Sequence, residues 1–153
     1  MTGLMERKGQ RWATDENITP PANLWRPPLL PVPWAAAALR TTSEAIMARI
    51  DDGRIRWAWE IGLSELHSLR VWTRCILTPH EISEYTPSEV IDMVIGTHKP
   101  RLRTEEVLRM LLCCRQHVLR LIDSGELAAT VRDRKVMIER RSLVNFLTNR
   151  LAS

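Results

Sequence analysis

The stretch Cys114–Leu127, CRQHVLRLIDSGEL, decides how this 153-residue chain is read. At about 100° per residue, Val118, Leu121 and Ile122 share one face of a helix, Gln116 and Arg120 lie opposite, and Arg115 sits at the N-terminal edge. Ser124-Gly125 then stops the helix. The same arrangement occurs once before, as Ser43–Ile55, SEAIMARIDDGRI.

Sliding the chain on itself until Leu39 meets Leu111 also pairs Ile46 with Val118, Met47 with Leu119, Ile50 with Ile122, Asp51 with Asp123, Gly53 with Gly125 and Ile55 with Leu127. Apolar positions, an acid and a glycine fall in step, so a whole supersecondary unit is repeated. At the same offset Val71 pairs with Leu143 and Cys75 with Leu147, which predicts a closing helix in each copy.

Downstream of the opening stretch, ELAATVRDRKVMIER holds two β-prone runs around Arg132-Asp133-Arg134-Lys135. The spacing predicts a hairpin with three cations at its tip. Upstream, HKPRLR is basic, and Thr104 is read as the cap of the helix EEVLRMLLC. Residues 78–97 carry two helix-start signals, Thr78-Pro79 with Glu81 and Thr86-Pro87 with Glu89, and end at Gly96-Thr97. A short acidic helical connector is expected there.

In the first half the pattern from Trp34 runs helix, helix, then the strand-like RIRWAWEIG. Ile55, Trp57, Trp59 and Ile61 alternate with Arg56, Ala58 and Glu60, which predicts one buried and one open face. LSELHSLRVWTRCIL is read as a helix, with Leu66, Leu69, Val71, Trp72 and Ile76 on one side. All six tryptophans precede position 73, and packing rather than base stacking is their expected role. Residues 1–33 lack periodicity and contain TPPANLWRPPLLPVP, which reads as a proline-rich arm. Its Trp25, Leu29, Leu30 and Val32 are too apolar for a purely solvated tail, so part of it is expected to lie on the folded body or on a partner.

The expected organisation is thus an arm at 1–33, a first module at 34–78, a connector at 79–100 and a second module at 101–151. The fold class is mainly α with small β-wings (α+β). A composition of 44% hydrophobic and 26% charged residues is globular, and no run of about 18 apolar residues exists. The N-terminus MTGLMERKGQ lacks a signal-peptide core, so a cytoplasmic protein with no membrane contact is expected. Cys75, Cys113 and Cys114 fit neither a disulfide framework nor a four-ligand metal site; reduced thiols, no metal and no cofactor are expected. The net charge is only +4, but residues 101–153 hold eleven Lys and Arg against six Asp and Glu, while residues 79–100 hold one against four. A basic patch on one small domain is the footprint of a phosphate-backbone binder.

The run LRTEEVLRMLLCCRQHVLRLIDSGELAATVRDRKVMIERRSLVNFL resembles the small winged helix-turn-helix domains of the excisionase and MerR-like DNA-binding family. These have a first helix, a short turn, a recognition helix ending in SGEL-like residues, a basic two-stranded wing and a closing helix. Residues 34–77 resemble the pattern more weakly. The resemblance implies two tandem winged helix-turn-helix modules joined by a short helical connector. It also implies double-stranded DNA as partner, read by the helix in the major groove and held by the wing at the backbone or minor groove.

Arg bonds guanine bidentately and Gln bonds adenine, so Arg115, Gln116 and Arg120 are candidate base readers, with His117 a candidate for phosphate contact or packing. Arg132, Arg134 and Lys135 on the wing, with Arg101 and Arg103, complete the candidate DNA contacts. The family's usual hydroxyl before the recognition helix is replaced by Cys114, a poor cap, whereas the first module keeps Thr42 and Ser43. That module's outward face is Glu44, Met47, Ala48 and Asp51, so it is expected to read DNA weakly or to contact protein. Thr42, Ser43, Glu44, Arg54 and Arg56 are its candidate contacts.

No phosphate-cradling glycine loop, HExxH or GxSxG is present, and His67, His80, His98 and His117 lie singly, so catalysis is not expected. Two binding classes remain. The first is a sequence-specific DNA-binding protein, by resemblance a recombination directionality factor or a transcriptional regulator of a mobile element. Such a protein is expected to form homo-oligomers or cooperative assemblies, with an integrase or another protein as a candidate partner. The second is an interaction adaptor built from degenerate modules.

Overall fold

Leu102, Val118, Leu121, Ile138, Leu143 and Leu147 are fully buried and come from four helical or strand segments of the C-terminal half, which fixes where its core lies. The computed structural model describes residues 27–62, 68–77 and 85–152. These divide into two units, one made by the described residues before position 84 with Leu151 and Ala152, the other by those from 85 to 150.

The first unit runs β1 (Leu29–Pro31), α1 (Val32–Ala38), α2 (Ser43–Asp51), β2 (Ala58–Glu60), β3 (Leu69–Trp72), α3 (Thr73–Leu77). Its antiparallel sheet has the order β1-β3-β2. The second unit runs α4 (Pro87–Ile95), β4 (Arg101–Arg103), α5 (Thr104–Leu111), α6 (Arg115–Asp123), β5 (Ala129–Arg132), β6 (Lys135–Glu139), α7 (Arg140–Asn149). Its sheet has the order β4-β6-β5. The chain is therefore α+β, with small antiparallel sheets among helices.

From β1 and from β4 onward the two units share one element order and one strand order. The likeness extends to single bonds. Ile55 N donates to Arg49 O and Leu127 N to Leu121 O; Thr73 N donates to Pro28 O and Arg140 N to Pro100 O. Arg40 (φ 55°) and Leu112 (φ 53°) both take the left-handed conformation between the two helices, and Gly53 (φ 84°) and Gly125 (φ 85°) take it after the second. A left-handed arginine or leucine is uncommon and costs energy that the surrounding packing must offset.

Several expectations need correction. The arm does not extend to residue 33: Leu29 and Leu30 pair with Trp72 and Val71 as an edge strand, and α1 starts at Val32. Proline is compatible with both an edge strand and a first helical turn, which is why the run reads as unstructured. Residues 1–26, Trp25 among them, lie outside the described residues. The single helix expected over LSELHSLRVWTRCIL is instead a strand, Leu69–Trp72, followed by a short helix, Thr73–Leu77; residues 63–67 lie outside the described ones. Arg70, Val71 and Trp72 are all buried, so the strand shows no alternation to reveal it. Ala58 is buried as well, so β2 has no fully open face.

The pairing of Val71 with Leu143 also fails, since one is in a strand and the other in a helix. Val71 lies opposite Leu30 as Ile138 lies opposite Leu102, so past the hairpin the true counterpart of Val71 is Ile138 and the offset between the units shortens. The cause is the hairpin itself: residues 61–68 separate β2 from β3, whereas only Asp133-Arg134 separate β5 from β6.

The connector's described helix, α4, packs on α7 and belongs to the second unit. Val90, Ile91, Val94 and Ile95 form its buried stripe. Thr86 and Glu89 make the expected capping box, and Gly96 (φ 72°) ends the helix; the start signal at Thr78-Pro79 with Glu81 lies outside the described residues. Arg140 Nη2 donates to Asp92 Oδ1 at 2.7 Å and Nε to Thr97 O at 2.9 Å, tying the start of α7 to this element. Truncating a fully buried leucine such as Leu121 in this core costs about 2–5 kcal/mol.

Candidate nucleic-acid interface

The geometry of α6 starts from its two ends. Cys114 is the N-cap and makes no side-chain cap bond, while at the matching position Thr42 accepts from Ala45 N at 3.1 Å. At the other end Ser124 N and Gly125 N close on Arg120 O and Ile122 O. Between them Val118 and Leu121 are fully buried and Ile122 is half-buried. Arg115 and Gln116 are exposed and Arg120 is half-buried, as the helical spacing predicts.

His117 departs from the candidate list. It is fully buried beside Val118 and cannot reach a phosphate without leaving the core. Thr104 departs too. It is the first residue of α5 and is buried, and the cap position is Arg103, whose backbone N donates to Glu106 Oε1 at 2.9 Å. That bond, followed by the Lys99 ammonium at 2.7 Å, holds the Glu106 carboxyl below its ordinary value.

The wing is a tight hairpin with Arg132 opposite Lys135. Its turn residues Asp133 (φ 51°) and Arg134 (φ 64°) are both left-handed, the backbone of a type I′ turn that usually uses Asn-Gly. Arg132, Arg134 and Lys135 are exposed. On β4, Leu102 is buried while Arg101 and Arg103 point to the open face, alternating as a strand must.

A cleft of about 270 Å³ joins these elements, lined among others by Arg103, Glu105, Arg115, Arg134 and Lys135. A second hollow of about 330 Å³ lies where Lys99, Arg101, Arg132 and Lys135 meet over Met137. The structure thus brings six of the nine candidates around the wing, leaves Gln116 and Arg120 on α6 outside both hollows, and removes His117 to the core.

The residue that sequence reading missed is Glu105. Its carboxylate receives Arg115 Nη1 at 2.9 Å, and this hydrogen bond above all holds its pKa below the ordinary carboxylate value. An acid in a helix's first turn looks like ordinary dipole chemistry, and no periodicity links position 105 to position 115.

In the first unit three of the five candidates, Thr42, Arg54 and Arg56, are engaged by their own neighbours. Thr42 caps α2, Ser43 is half-buried and Glu44 is exposed. Arg54 donates to Asp52 through its backbone N (3.0 Å) and Nε (2.8 Å), and the backbone bond leads in lowering the Asp52 pKa. Arg56 lies over the Trp57 ring at 4.8 Å. Trp57 meets Trp72 edge-on at 6.4 Å, so these indoles pack as expected. Leu29, Leu30, Trp59, Arg70 and Val71 are all buried, which covers both faces of this sheet. Among the described residues this sheet presents no counterpart to the cationic face of the second unit.

Residues 101–151 match a family model described as a helix-turn-helix domain. The match spans β4, α5, α6 and the wing, which line the cleft, and α7. No curated protein and no solved structure matches the chain. Among the described residues no helix is long and apolar enough to cross a membrane, and no cluster of metal-ligating side chains occurs.

Proposed function

We propose that the chain is a sequence-specific double-stranded DNA-binding protein, an excisionase-like recombination directionality factor or a transcriptional regulator of a mobile element, acting in the cytoplasm or nucleoid and not as an enzyme. One observation carries this reading: within a helix-turn-helix segment, Arg115 at the exposed start of α6 and the wing cations Arg134 and Lys135 open onto one cleft. Helix α6 enters the major groove, where Gln116, Arg120 and Arg115 meet base edges, and Arg132, Arg134 and Lys135 hold the neighbouring backbone or minor groove. Arg101 and Arg103 extend the phosphate contact.

The first unit is, in this reading, a degenerate tandem copy of the same winged module. The shared strand order and left-handed residues support the duplication. Its exposed Glu44, Met47, Ala48 and Asp51 support a protein-contact role, toward another copy or an integrase. The same face favours the second reading, an adaptor without strong DNA binding.

Selection from a random duplex pool with the intact chain separates the two. Enrichment of a short motif supports the regulator; recovery of the unenriched pool with no affinity above that of a neutral protein supports the adaptor.

A further inference from the structure

We propose that Glu105 sets the specificity of the DNA-reading unit by holding Arg115, so that non-specific duplex is penalised more than the cognate site. The inference rests on the DNA-binding reading above. Glu105 lies in the first turn of α5 and Arg115 opens α6; their side chains are 50% and 57% exposed and meet at 2.9 Å. An ion pair this exposed contributes little to stability, so its consequence must be sought elsewhere.

The surroundings supply it. Arg103, Arg134 and Lys135 line the same cleft, and Glu105 is the acid among those lining residues. In a cleft built for phosphate, a carboxylate opposes the ligand. It also occupies Arg115 Nη1, one of the guanidinium's donors. For Arg115 to grip a phosphate with its fork, this bond must break and the phosphate must sit beside Glu105. To meet a base edge, Arg115 uses its remaining donors and keeps the bond, which fixes the orientation of the guanidinium plane.

Phosphate contact is sequence-independent and base contact is not. Glu105 therefore acts against the wrong duplex more than for the right one, which is how specificity arises from a repulsive element. It is a positioning residue: it acts through Arg115.

The test uses the intact chain, the motif enriched by pool selection and a scrambled duplex of equal length. Glu105→Gln removes the charge with little change of shape. The expected result is about five- to tenfold tighter binding of the scrambled duplex, less than twofold change on the motif, and a salt slope on the scrambled duplex steeper by about one phosphate. In an Arg115→Ala background the same substitution should leave the ratio of the two affinities unchanged. Thermal unfolding measured alongside reads any structural loss, which moves both affinities together and leaves the ratio fixed.

An unaltered ratio in Glu105→Gln, with wild type binding normally, overturns the role of Glu105 alone. An equal gain with and without Arg115 makes Glu105 a direct repulsive charge and overturns its action through Arg115. Failure of wild type to bind any duplex overturns the DNA-binding reading, and this inference with it.

Discussion

Arg134 sits where a glycine would be more comfortable. With φ at 64° after Asp133 at 51°, it holds a conformation that costs a residue with a Cβ about 1 kcal/mol or more. Arg134→Gly is expected to raise the melting temperature by a few degrees while weakening duplex binding, which paired thermal unfolding and anisotropy titrations would read. A fall in both, or a rise in both, would contradict the idea that the strain is retained for the side chain's sake. Cys75 gives a residue-level prediction of a different kind. Burial pushes its thiol up from 9.0 to about 12, so the folded state keeps the proton that the unfolded chain releases. Its contribution to stability is full below pH 9 and is lost as pH rises toward 12. Urea midpoints for wild type should fall more steeply over that window than those for Cys75→Ala.

At the scale of elements, α6 divides into a buried face and a polar face that the proposed function assigns to base reading. Replacing Cys114 by Ser or Thr supplies the missing cap and should stabilise the chain by about 1 kcal/mol, seen as a higher urea midpoint with an unchanged m-value. His117→Ala should lower stability and leave base preference intact, because the ring is in the core. Gln116→Ala or Arg120→Ala should do the reverse, relaxing preference at one or two base pairs by about 1–3 kcal/mol each. Uniform loss on every sequence would make those side chains phosphate contacts. Much of this element was legible in the sequence, because helical periodicity and the Ser124-Gly125 stop act locally. His117 was not legible, since an imidazole three residues from a cap satisfies either environment by spacing alone. Nor was β3, whose three consecutive buried residues Arg70, Val71 and Trp72 erase the alternation that marks a strand, or β1, hidden inside a proline run that an edge strand tolerates.

At the scale of the molecule, two units share one strand order but differ in the charge of their surfaces. The second unit leaves its sheet open and cationic; the first buries both faces of its sheet and turns an acidic and apolar helix face outward. The likeness in element order was legible in the sequence because helix, glycine and apolar positions recur in register. Its limit was the longer first hairpin, which puts Val71 in step with Ile138 rather than Leu143, where no turn signal marks the insertion. In the proposed function the second unit is the source of duplex affinity, and its contribution is electrostatic. The most direct measurement is the affinity of the intact chain for a random-sequence duplex across a series of salt concentrations, for wild type and for the chain with Arg132, Arg134 and Lys135 replaced by alanine. The logarithm of affinity is expected to fall linearly with the logarithm of salt, at a slope of about −0.9 per phosphate contacted, and the triple replacement to flatten that slope by up to about three contacts. Wild-type binding that does not change with salt, or a slope that the replacement leaves untouched, would contradict the proposed function.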